Sequence, residues 1–67
     1  MQIILNGQPH EIGKALSVAQ LLESLGLQEG MVAVEKNLEI VPKAERAQAM
    51  LAEGDQVEVL QFMGGGR

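Results

Sequence analysis

The hydrophobic and polar positions along the chain change period several times, and each period predicts a different element. The opening "MQIIL" is rich in β-branched residues and precedes Asn6-Gly7, the dipeptide that most readily forms a two-residue hairpin turn. The second arm, "QPHEI", contains Pro9, which cannot donate a ladder hydrogen bond. A β-hairpin is therefore expected at the start of the chain, with its second arm at a sheet edge or irregularly paired.

The next segment has helical rather than strand period. Ser17 is a good N-cap residue, and Gly26 supplies a C-terminal stop after "VAQLLESLG". Apolar residues recur between them at helical spacing, at Val18, Leu21, Leu22 and Leu25. This pattern predicts the main helix of the fold.

The second half of the chain predicts two strands, a short helix and a last strand. The two strands are "MVAVEKN" and "LEIV". Pro42 then suits the first turn of a second, shorter helix, "KAERAQAML". After a turn at "EGD", the segment "QVEVLQF" has clear period-two alternation and predicts a strand.

This order of elements predicts an α+β fold in which one main helix packs on a mixed sheet of about five strands. A β-grasp is the natural candidate, since its first and last strands lie side by side and parallel at the sheet centre. A parallel pair needs a crossover connection, and the main helix provides one. The predicted organisation is one domain over residues 1–63 and a flexible glycine tail over residues 64–67.

Composition and charge exclude several classes of protein. The chain has 67 residues, no cysteine and a single histidine, His10, which cannot hold a metal alone. Its formal charge of −4 and its one aromatic residue, Phe62, disfavour nucleic-acid binding. No apolar run is long enough to span a bilayer, and the start lacks the features of a signal peptide. We expect a soluble, cytoplasmic protein with no metal and no membrane or nucleic-acid partner.

The chemical inventory is poor for an independent enzyme. Ser17 is better explained as a helix cap than as a nucleophile, and the carboxylates are spread over surface-like positions. The terminal "GGGR" is no phosphate loop, because no helix follows it to receive an anion. The sequence favours a non-catalytic protein.

The last strand and the glycines after it are the most unusual feature. Alternation places Glu58, Leu60 and Phe62 on one face of this strand, and the glutamate indicates that this face meets solvent. Leu60 and Phe62 then form an apolar patch for a partner, or else Phe62 folds back over an exposed edge of the core. The glycines have no Cβ, so they suit passage through a narrow channel; a frayed terminus is the alternative.

The sequence as a whole resembles the ThiS family of bacterial sulfur carriers, ubiquitin-like β-grasp proteins of thiamin thiazole biosynthesis. The resemblance lies in "MQIILNGQ", "VAVEKNLEIVPKAERA" and "AEGDQVEVLQFMGGG", in that order. It implies that a ThiF-type enzyme adenylates the C-terminal glycine carboxylate with ATP, and that sulfur from a sulfur-donor enzyme then replaces AMP to give a thiocarboxylate. A ThiG-type thiazole synthase receives the sulfur. The chain itself binds no cofactor and acts as a substrate.

By position, the resemblance makes Gly66 the modified residue, Gly65 and Gly64 the segment that threads the channel, and Leu60, Phe62 and Met63 part of the docking surface. One departure is Arg67, which follows the glycine that should be terminal. We expect it to be trimmed or to be a cloning remnant. Related carriers for molybdopterin or tRNA thiolation, ubiquitin-like modifiers, and a β-grasp interaction module with an inert tail remain alternatives.

Overall fold

The hairpin expected at the start of the chain is present in the structure, a computed structural model that describes residues 1–62. Strand β1 (Gln2–Leu5) pairs antiparallel with β2 (Gln8–Glu11). Asn6 and Gly7 form the turn with φ angles of 50° and 83°, as a two-residue hairpin with the right twist requires. Pro9 lies on β2, which is an edge strand, so its missing N–H breaks no ladder.

Five strands form one mixed sheet in the order β2-β1-β5-β3-β4. The last three strands are β3 (Val32–Lys36), β4 (Glu39–Ile40) and β5 (Gln56–Gln61). Strand β1 is parallel to β5, whereas β3 is antiparallel to both β4 and β5. The first and last strands are thus parallel neighbours, which confirms the predicted β-grasp arrangement.

Helix α1 (Val18–Ser24) is fixed at both ends by its sequence. The Ser17 hydroxyl accepts a hydrogen bond of 3.1 Å from the Gln20 N–H, and the Gln20 side chain accepts one of 3.0 Å from the Ser17 N–H. This reciprocal pair is a capping box. At the other end Gly26 has a φ of 74°, and the Leu27 N–H donates to the Leu22 carbonyl, a Schellman ending.

The second short helix is a 3-10 helix over Lys43–Glu45, shorter than the segment "KAERAQAML" that predicted it. The reason lies in its carbonyl groups. The Arg46 carbonyl accepts from the Ala19 N–H, and the Ala49 carbonyl accepts from the Val18 N–H. These carbonyls satisfy donors of the first turn of α1, so they do not continue a helix of their own. A further 3-10 helix, Glu29–Met31, was not predicted.

The core lies between α1 and one face of the sheet, and it is aliphatic as the composition predicts. Among residues 1–62, eight apolar residues form the buried cluster: Ile3, Val18, Leu21, Leu22, Val32, Val34, Leu51 and Val57. Each such side chain contributes about 1.5 to 3 kcal/mol when fully buried. The opposite face of the sheet carries no helix within residues 1–62, and it is where the candidate site lies.

Candidate docking site at the end of the last strand

Strand β5 alternates between core and solvent as its sequence predicts. Val57 is fully buried, and Val59 is half-buried on the same face. On the other face Leu60 is 65% exposed, and Phe62, just after the strand, is 52% exposed. Both side chains remain more than half exposed, as expected, and Phe62 also lies beside Leu27 and Met31 at an edge of the domain. That they bind a partner remains a prediction.

The remaining residues of the predicted site are Met63, Gly64, Gly65 and Gly66, and they lie with Arg67 outside the described residues. The structure does describe where this segment starts. The Phe62 N–H donates a hydrogen bond of 2.9 Å to the Met31 carbonyl, beyond the pairing of β5 with β3. This bond holds the backbone of Phe62 beside Met31, at the last of the described residues.

A buried arginine holds the segment that contains Met31. The Arg46 side chain is 4% exposed, and its guanidinium donates hydrogen bonds of 2.7 Å to the Glu29 carbonyl and 2.8 Å to the Val32 carbonyl. Its Nε has no hydrogen-bond partner within residues 1–62. This role was not predicted from the sequence, because no local pattern distinguishes Arg46 from a surface residue of a short helix.

A groove on the open sheet face extends the apolar surface beyond Leu60. It has a volume of about 410 Å³ and runs over β3, β4 and β5. We call it the open-face groove and define it by five side chains: Ala33, Glu35, Ile40, Glu58 and Leu60. Ile40 is 72% exposed, although the sequence analysis did not single it out. Ile40 lies on a two-residue edge strand that is paired on one side only, and this position depends on the fold rather than on the local sequence.

The titratable groups elsewhere do not form a catalytic constellation within residues 1–62. The Met1 ammonium lies 2.7 Å from the Glu11 Oε2, and this hydrogen bond raises the pKa of the amino group and lowers the pKa of the Glu11 carboxyl. The pair sits at the β2 edge, on the side of the sheet remote from β4. In the described part of the chain no three potential ligands are grouped as a metal site. No helix there has the length and apolar character to cross a bilayer.

Comparison with known protein families matches residues 3–66 to the ThiS family. The match covers the sheet, the helix, the end of β5 and the three glycines. The chain belongs to the ThiS family. The resemblance noted in the sequence is therefore confirmed.

Solved and curated relatives agree with this assignment. The crystal structure of the thiamine biosynthesis protein (ThiS) from Geobacter metallireducens matches with a TM-score of 0.85 and 36% identity, over 98% of this chain and all of that one. The sulfur carrier protein ThiS of Escherichia coli is 35% identical over 98% of this chain and all of its own length. The β-grasp fold is thus shown by a close structural match as well as by the strand order.

Two further relatives are much longer proteins. The thiazole synthases of Paramagnetospirillum magneticum and Magnetococcus marinus are 42% and 40% identical to this chain. Their matches cover 98% and 100% of this chain. This chain spans only about a fifth of their length, 20% and 21% respectively. A segment similar to this chain therefore occurs within proteins named for thiazole synthesis.

Proposed function

We propose that this protein is a sulfur carrier for thiazole formation in thiamin biosynthesis. The observation that carries the proposal is the ThiS-family match, which extends through Gly66 and so includes the glycine tail. Similarity to the Escherichia coli sulfur carrier over that protein's whole length supports it further. The protein carries the reactive atom, and its partners perform the catalysis.

The reactive group is the carboxylate of Gly66, available once Arg67 is removed. A carboxylate is a poor electrophile, so a ThiF-type enzyme first joins it to the α-phosphate of ATP and releases pyrophosphate. A sulfur nucleophile from a sulfur-donor enzyme then attacks the carbonyl carbon of this mixed anhydride. AMP leaves with the bonding electrons. Where the nucleophile is hydrosulfide, loss of its proton gives the thiocarboxylate directly; where it is a donor persulfide, a second thiol reduces the resulting acyl disulfide to the thiocarboxylate and is itself left in a disulfide. The nucleotide belongs to the activating enzyme, and the carrier holds no cofactor.

The end of β5 supplies both the reach and the docking surface for this chemistry. Residues 63–66 span at most about 14 Å when extended, enough for a terminal carboxylate to enter an active site while the domain stays outside. Leu60 and Phe62 remain exposed at the base of that segment and bury apolar area against the enzyme. The Phe62 hydrogen bond to Met31 holds the residue that precedes this segment against the domain.

A ThiG-type thiazole synthase is the proposed acceptor of the sulfur. Support comes from the two thiazole synthases that contain a segment similar to this chain. Carriers for molybdopterin or tRNA thiolation and ubiquitin-like modifiers use the same terminal chemistry, and they are the alternatives within the fold. A β-grasp interaction module is the alternative of another class, and only it would keep its function without the glycines.

Intact-protein mass spectrometry tests the proposal. Two forms of the chain, ending at Gly66 and at Arg67, are incubated with ATP, a ThiF-type enzyme and a sulfide source. The mass increase of one sulfur replacing one oxygen is expected at Gly66, and only in the form that ends there. Transfer of that sulfur to a ThiG-type synthase, with thiazole product formed, assigns the pathway. Absence of the mass increase in both folded forms would leave the interaction module as the better reading.

A further inference from the structure

Two glutamates face each other across the middle of the open sheet face. Glu35 of β3 and Glu58 of β5 are directly opposite in the antiparallel register. Side chains in this relation lie about 5 Å apart at Cβ, and like charges there destabilise the sheet. Within residues 1–62 neither carboxylate forms an ion pair. Like charges at this register position disfavour strand pairing, so a single change to glutamine is expected to stabilise the free domain.

Apolar side chains surround this pair. Ala33 and Leu60 are opposite each other two residues further along the same strands, and Ile40 is opposite Glu35 on β4. These residues line the open-face groove of about 410 Å³, with both carboxylates among them. A ligand that fits must carry an apolar stem and a positive end that reaches two carboxylates at once.

We propose that the open-face groove binds an arginine side chain of the protein partner that receives the tail. The methylene stem of arginine packs on Ile40 and Leu60, and its planar guanidinium donates hydrogen bonds to Glu35 and Glu58 together. A lysine presents a single point of charge and matches the paired carboxylates less well. The bound guanidinium also removes the repulsion between the two glutamates.

The identity of the partner rests on the proposed function, whereas the preference for a guanidinium rests on the groove alone. Leu60 belongs both to the groove and to the docking patch, and Phe62 follows it by two residues. A partner that binds Leu60 while it takes the tail therefore contacts one wall of the open-face groove. The negative charge of the chain adds long-range attraction to such a basic surface.

The test compares binding with folding stability in Glu35→Gln, Glu58→Gln and the double variant. Calorimetric titration with a ThiF-type enzyme should give about a tenfold weaker Kd for each single variant, as loss of a charged hydrogen bond implies. The Kd of the double variant should increase by less than the product of the two single-variant increases, because both carboxylates bind the same guanidinium. Thermal unfolding of the free variants should show a Tm about 1 to 5 °C higher.

Glu23→Gln is the matched control, since Glu23 lies on helix α1 on the other side of the sheet. It changes the net charge equally and should leave the Kd within about twofold, as expected for a screened surface charge. Equal effects at Glu23 and in the groove would overturn the proposal.

Treating the enzyme with phenylglyoxal, which modifies arginine, should weaken binding of the parent chain and have little further effect on the double variant. Binding insensitive to phenylglyoxal would overturn the choice of arginine.

Two more readouts separate the possible failures. Sedimentation velocity of the parent chain and the double variant tests whether the groove binds a second copy of this chain. A dimer that forms in the parent and is lost in the double variant would overturn the proposal. Thiocarboxylate formation at saturating enzyme should survive in all groove variants. A parent chain that binds through the groove yet forms no thiocarboxylate would contradict the proposed function and leave the arginine site standing.

Discussion

The Phe62 N–H donates to the Met31 carbonyl at 2.9 Å, two residues before the first glycine of the tail. Met31 lies between Glu29 and Val32, whose carbonyls both accept hydrogen bonds from the buried Arg46. Arg46 is not itself bonded to Phe62 in this set of hydrogen bonds. It acts as a positioning residue, because it holds the segment against which the end of β5 is fixed.

Replacing Arg46 should therefore loosen the end of β5 as well as lower stability. Arg46→Met leaves the Glu29 and Val32 carbonyls without these donors, and we expect a loss of about 1 to 3 kcal/mol in the free energy of unfolding. Urea denaturation measures that loss. Hydrogen exchange of the Phe62 amide should accelerate by more than global destabilisation accounts for.

Lys36→Met is the control for this prediction, because Lys36 also donates from a cationic side chain to a carbonyl, that of Met50, at 3.1 Å but at an exposed site. It should cost about 0.5 kcal/mol, the low end for a single hydrogen bond. If Phe62 exchange in Arg46→Met rises only in step with the other amides of β5, Arg46 is a general structural residue and its positioning role is wrong.

Leu60 and Phe62 are expected to act on binding rather than on folding. Because both side chains are more than half exposed, Leu60→Ser and Phe62→Ser should change the free energy of unfolding by about 0.5 kcal/mol or less. Each should weaken binding to a ThiF-type enzyme about tenfold, since apolar anchors dominate interface energetics. Calorimetric titration and urea denaturation on the same samples separate the two effects.

Leu38→Ser offers a matched control at a residue that is 83% exposed and lies in the turn between β3 and β4. The same chemical change there should leave the affinity unaltered. Affinities of Leu60→Ser and Phe62→Ser that equal that of Leu38→Ser would show that the docking surface lies elsewhere on the domain.

Most of the fold was predictable because local signals and global topology agree. The turn at Asn6-Gly7, the cap at Ser17 and the stop at Gly26 each depend on residues adjacent in sequence, and all three are present. The exposure of Leu60 and Phe62 follows from the period-two pattern of β5 alone. The order of the elements favoured a β-grasp, with the first and last strands parallel at the sheet centre, and the family resemblance implied the same fold.

The parts that sequence reasoning missed depend on contacts between distant segments. Arg46 is buried because its guanidinium reaches the carbonyls of a loop 14 to 17 residues away, and no local pattern marks such bonds. The opposition of Glu35 and Glu58 depends on the β3–β5 register. The second helix was predicted too long because its carbonyls serve the first turn of α1.

The pair formed by Met1 and Glu11 predicts a defined pH dependence when Met1 carries a free amino group. The pKa of Glu11 is lowered by its hydrogen bond, so its stabilising effect is present above its ordinary value near 4.5 and lost as pH falls through the folded value. The pKa of the amino group is raised, so its effect is present below about 8.0 and lost as pH rises through the folded value.

Glu11→Gln should consequently lower the Tm most between about pH 4.5 and 8.0, by a small amount because the pair is exposed, and the difference should fade as the pH falls below or rises above these values. Thermal unfolding over a pH series measures this window. Acetylation of the Met1 amino group is the control, since it removes the other partner and should have the same effect in the same range. A difference between parent and variant that does not fade as the pH falls well below 4.5 would contradict the assignment of the window to this pair.

Glycine in the tail is expected to matter for activation and not for folding. Gly65→Ala adds one Cβ to the segment proposed to thread the channel of the activating enzyme, where a displacement of about 1 Å costs on the order of a hundredfold in rate. We expect kcat/KM for adenylation to fall by about that factor, with the free energy of unfolding changed by less than about 0.5 kcal/mol.

Gly30→Ala is the control within the domain, because a Cβ there would meet only the Lys43 Nζ at 3.7 Å, an ordinary contact. Pyrophosphate release under limiting carrier measures the rate, and equal rates for both variants would mean that the tail enters no narrow channel.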